Sequence, residues 1–96
     1  MNTSECLINS LSWELDSLTT RIENIKNTYL KTTHNVLRDR LIFENISILK
    51  RVNEITSIAK LIEKRSNNAI SLSSLLVEKC NRANNEMKRK NNLFFL

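Results

Sequence analysis

The side chains that could do chemistry are few and far apart. His34 is the single histidine, and Cys6 and Cys80 stand 74 residues apart in a chain of 96. Nucleophilic catalysis needs a nucleophile, a base and an orienting group held together. No Ser or Cys stands at a recognisable motif spacing from His34, which reads as a solvated turn residue. Both cysteines fall on apolar faces of the first and last expected helices, where a thiol behaves as a small hydrophobe. A metal site needs three or four converging ligands. The scattered carboxylates include no Glu-x-x-His pair of the di-iron bundle type. The chain has no Gly, so it cannot build the loops that cradle phosphates or dinucleotides. These residues predict no catalytic centre, no cofactor and no metal, and the protein is expected not to be an enzyme.

Charge opens a second possibility. Fifteen Lys and Arg against ten Asp and Glu leave a formal net charge of +5. On a helical wheel, Arg40, Lys50, Arg51, Lys60, Lys64 and Arg65 share the half of one helix opposite its apolar stripe. That is the electrostatic footprint of a small nucleic-acid-associated protein. Asp39 and Glu54 interleave with these cations, however, which is the pattern of a solvated helix face. No aromatic side chain punctuates the basic face for base stacking. Nucleic acid is therefore the alternative reading.

The elements that must position these residues are helices. With neither Gly nor Pro, the chain favours long helices with few sharp corners. Leu11, Leu15, Leu18, Ile22, Ile25 and Tyr29 recur at spacings of four and three, a coiled-coil seam. A second stripe runs through Leu41, Asn45, Ile48, Val52, Ile55, Ala59 and Ile62. It continues through Ser66, Ala69, Ser73, Leu76, Cys80, Ala83 and Met87. Its phase is shifted from the first. The first register carried forward meets Val36, Asp39 and Phe43, and Asp39 is a poor seam residue. A corner is expected at Thr32-Thr33-His34-Asn35, where Thr and Asn side chains compete with helical hydrogen bonds. The stripe weakens again around Ser66-Asn67-Asn68.

The expected fold is all-α in a single domain spanning 1–96, an elongated helical hairpin or three-helix bundle with coiled-coil-like packing. Its helices are placed at about 4–31, 35–65 and 68–90, with a tail at 91–96. A two-helix arrangement, with the second helix unbroken to 90, is the runner-up. Residues 1–30 are net acidic and 31–65 net basic, which favours laying the first two helices side by side in opposite directions.

Such long, thin helices share a narrow seam, and a partner commonly completes it. Ile46, Ile58 and Ile70 flank the second stripe. Leu93-Phe94-Phe95-Leu96 follows the basic run Lys88-Arg89-Lys90. These flank and tail residues form the candidate partner-binding set, with the tail read alternatively as a cap on the bundle or a weak membrane-surface contact. Trp13 lies off the first seam and is expected to cover the core's edge, with a partner-facing surface as the alternative. The function expected is a small adaptor, assembly factor or chaperone-like subunit, burying a helical face against another protein or a second copy. No stretch is long and apolar enough to span a bilayer. The amino terminus lacks the basic and apolar regions of a signal peptide, so a cytoplasmic location is expected.

Overall fold

A computed structural model describes residues 3–65 and 72–94, with the side chains of 5–65 and 74–89. Three helices, α1 (Thr3–Lys31), α2 (Asn35–Arg65) and α3 (Leu72–Phe94), pack pairwise against one another. The fold is an all-α three-helix bundle, 51 Å long and 22 by 15 Å across. Because α3 lies against α2 instead of extending it, the unbroken second helix is excluded. The weak stretch around 66–68 lies outside the described residues. α3 runs on to Phe94, past the expected end at 90. Lys90-Asn91-Asn92-Leu93 contains neither Gly nor Pro to stop it.

The first corner is held by side chains that leave the helix pattern. The Thr32 amide still donates to the Thr28 carbonyl at 3.0 Å. The Thr32 hydroxyl then accepts from the His34 amide at 3.2 Å. His34 caps α2: its Nδ1 accepts from the Leu37 amide at 3.4 Å and its carbonyl from the Arg38 amide at 3.0 Å. Ring nitrogens rarely serve this role, but the geometry meets the N-cap requirement of an acceptor facing the third helical amide. Arg38 closes the corner from below. Its Nε donates to the Thr32 carbonyl at 2.9 Å, and its guanidinium lies 4.8 Å from the centre of the Tyr29 ring.

The core is the two stripes brought face to face. α1 contributes Ile8, Leu11, Leu15, Ile22 and Ile25, α2 contributes Leu41, Ile48, Val52, Ile55 and Ala59, and α3 contributes Leu76, Cys80, Ala83 and Met87. Asn45 is buried in the α2 stripe at its seam position. A polar residue there costs stability while favouring one register over others.

Polar pairs fix direction and register. Arg51 grips Glu14 through Nη2–Oε1 at 2.8 Å, and Arg21 grips Glu44 through Nη2–Oε1 at 2.7 Å. Both pairs obey one antiparallel register, a heptad apart, with their polarities reversed. Sliding α2 by one heptad either way would set Glu14 against Glu44 or Arg21 against Arg51, so both neighbouring registers are disfavoured. Lys79 joins Asp16 at 2.7 Å and the Ser12 hydroxyl at 2.8 Å, which sets α3 parallel to α1. Asn84 donates to the Thr56 hydroxyl at 3.1 Å, setting α3 antiparallel to α2.

Leu15 is 1% exposed at the meeting of the helices. Leu15→Ala should destabilise the fold by about 3 kcal/mol and lower the melting temperature by roughly 15 °C, read by far-UV circular dichroism. A change of a degree or two would mean that Leu15 is not in the core.

Candidate interaction surface

The buried arc of α2 faces α1 and α3, and its opposite side faces outward. On that outer side stand Val36, Phe43 and Ile46, exposed to 59%, 70% and 42%, with Leu61, exposed to 54%, farther along it. Asp39 and Lys50, both exposed, share the same side. At about 100° per residue, Asp39, Phe43, Ile46 and Lys50 fall within an arc of about 60°, midway between the flanks that meet α1 and α3. The spacing is four, three, four. This is the register that the first seam would have followed had there been no corner, now turned outward. Neither Asp39 nor Lys50 takes an ion pair or hydrogen bond among the described residues.

The expected partner-binding residues are placed unequally. Ile46 lies on this outer face. Ile58 does not stand on an exposed flank: it is half-buried and packs against the core. A bundle of three helices buries a wider arc than a two-stranded seam, and Ile58 falls inside it. Ile70, Phe95 and Leu96 lie outside the described residues. Leu93 and Phe94 form the last residues of α3, and their side chains are not described.

The expected basic set is divided between a paired residue and exposed ones. Arg51 is committed to Glu14 and, at 2.9 Å, to Glu54. Arg40, Lys50, Lys60, Lys64 and Arg65 are exposed, but they spread over about half the circumference of α2. Two other expectations are corrected. Trp13 is 71% exposed, because it points away from both neighbouring helices and covers no core edge. Cys6 is exposed for the same reason, while Cys80 is fully buried.

Burial and charge shape the remaining groups. The Cys80 thiol titrates above its ordinary value because burial disfavours the thiolate. Above it, Thr56 donates to the Val52 carbonyl at 2.8 Å, and Asn84 spans Thr56 and the Cys80 carbonyl at 3.0 Å. Thr56 was not legible as buried, since it sits beside the stripe and not on it. Between α1 and α3 runs a groove of about 360 Å³ with Leu15, Ile22, Ala83 and Met87 on its floor and Asp16, Lys79 and Arg82 on its rim. It lacks a buried polar cluster that could orient a reacting ligand. Among the described residues no three His, Cys, Asp or Glu side chains converge on one point. No described helix is long and apolar enough to cross a membrane.

No protein-family model matches the chain, and neither a curated protein nor a solved structure resembles it at a significant level. The surface itself must therefore carry the functional reading.

The ion pairs bear on stability. Hydrogen bonds from Arg51 and Arg21 hold the Glu14 and Glu44 carboxyls below their ordinary value of 4.5. A carboxylate with a lowered folded pKa contributes stability that is complete above its unfolded value and is lost as pH falls through the folded one. The melting temperature should therefore stay level above about pH 4.5 and drop below it. A Glu14→Gln/Glu44→Gln variant should show a shallower drop over that acid range, and an unchanged slope would contradict the linkage. Arg21→Glu should cost about 1 kcal/mol, with Arg21→Glu/Glu44→Arg recovering most of it. In thiol labelling of the native protein, Cys6 should react at once and Cys80 only on unfolding. Equal rates would place Cys80 at the surface.

Proposed function

We propose that this chain is a small non-enzymatic interaction module, an adaptor, assembly factor or chaperone-like subunit, that buries the outer face of α2 against a partner. The observation that carries this reading is the exposure of Val36, Phe43 and Ile46 on one side of a helix whose other side already fills the core. Large apolar side chains grouped on a surface mark interaction sites more often than singly scattered ones do. Phe43 is the anchor of the face, since buried aromatic side chains dominate interface energetics. Binding by rigid helices adds little ordering cost, because the face is formed before the partner arrives. A cytoplasmic site of action belongs to this proposal.

The test is recovery of partners by the amino-terminally tagged full chain from its native lysate, with and without nuclease. Wild-type chain should retain a protein at near-equal amount regardless of nuclease, and Phe43→Ser/Ile46→Ser should lose it while keeping its helicity. Equal recovery by the variant would remove the α2 face from the reading. A pool of proteins that disappears with nuclease would support nucleic-acid association through the exposed cations instead.

A further inference from the structure

The outer stripe of α2 has a chemical symmetry. In chain order it reads acid, apolar, apolar, base: Asp39, Phe43, Ile46, Lys50. Its spacing of four, three, four is the same in both directions. Read backwards it becomes base, apolar, apolar, acid, which is the complement of the forward reading. We propose that the occupant of this face is a second copy of the same chain, with its α2 docked antiparallel across a two-fold axis that passes between Phe43 and Ile46. The inference rests on the α2 face being the interaction surface.

In that arrangement Phe43 of each copy meets Ile46 of the other, and Asp39 of each meets Lys50 of the other. Every contact occurs twice, as a closed two-fold interface requires. The four residues are free to make it. Phe43 is 70% exposed, and Asp39 and Lys50 take no partner among the described residues. Of the other charges near the stripe, Glu44 is committed to Arg21, and Arg51 to Glu14 and Glu54, while Arg40 is exposed on one flank. The stripe lies midway between the flanks that hold α1 and α3, so a second helix approaches it without meeting either. Farther along the same register, Val36 falls against Asn53 and Asn35 against Glu54, pairs with no like charges opposed. A parallel docking would set Asp39 against Asp39 and Lys50 against Lys50, so charge selects the antiparallel form.

Sedimentation velocity on the full chain in low salt, over about a hundredfold range of concentration, reads the association directly. The wild-type chain should pass from monomer to dimer, and added salt should shift it back. Asp39→Lys gives a chain with two cations on the stripe, and Lys50→Asp one with two carboxylates. Each alone should associate at least about tenfold more weakly than wild type, since like charges oppose twice per dimer. Mixed in equal amounts, the two variants should form a heterodimer. Phe43→Ser should be monomeric in every mixture. All four positions are exposed, so circular dichroism should show unchanged helicity. A wild-type chain that stays monomeric throughout, or a variant mixture that fails to associate, overturns the second-copy assignment. The loss or survival of lysate recovery in Phe43→Ser/Ile46→Ser separately decides whether the α2 face binds a different protein.

Discussion

Everything in this fold depends on one thin seam shared by three helices. With a cross-section of 22 by 15 Å there is room for one line of side chains between the helices and little behind it. Each core residue must therefore serve two interfaces at once. Leu15, Val52 and Cys80 are almost wholly buried for that reason, although each belongs to a helix with its opposite side in water. Close approach of α2 and α3 is permitted by small side chains, Ala59 on one and Cys80 and Ala83 on the other. An apolar seam of this kind resists separation but does little to resist sliding, because one heptad offers nearly the same surface as the next. Register falls to groups at the seam's edge: the two reversed Glu–Arg pairs, Lys79 on Asp16, and Asn84 on Thr56.

The same constraint decides which side chains are left facing solvent. The outer side of α1 carries Ser10, Ser17, Thr20, Asn24 and Asn27, with the exposed Cys6, Trp13 and Lys31 among them. The outer side of α3 carries Asn81, Arg82, Asn85 and Lys88. These are solvated faces with no apolar periodicity. α2 differs, having an apolar stripe inside and a shorter one outside. A helix that is already satisfied by two neighbours gains nothing within its own bundle from Val36, Phe43 and Ile46. Their gain comes only from something that covers them. Asp39 and Lys50 flank Phe43 and Ile46 with one charge of each sign.

Periodicity made the seam legible in the sequence: among the described residues, those at spacings of four and three are buried or half-buried. The phase slip also located the corner, because Asp39 cannot occupy a seam and Thr32, His34 and Asn35 offer side-chain bonds that a helix interior would waste. The slip held a further signal. The abandoned register of Val36, Asp39 and Phe43 is the outer stripe. Other features lay beyond a one-dimensional pattern. How far a buried arc extends past its stripe depends on the number of neighbours, so Thr56 and Ile58 turned inward. Trp13 and Cys6 turned outward because no helix covers that side of α1. Cross-helix pairs such as Arg21 with Glu44 need the register of two helices, which neither helix encodes alone. The reach of α3 to Phe94 reflects a missing stop signal in an Asn-rich stretch, where propensity is weak in both directions.

Three helices close one core within a single chain, leaving the outer side of α2 uncovered. Native-state hydrogen exchange at a dilute, monomeric concentration tests it most directly. Backbone amides of Ile22, Val52 and Cys80, one from each helix, should share the highest protection and lose it together as denaturant is added. If the α3 amides instead exchange orders of magnitude faster than those of α1 and α2, α3 is not part of the cooperative unit. The chain would then be a two-helix hairpin with α3 only loosely attached, which would contradict a single three-helix core.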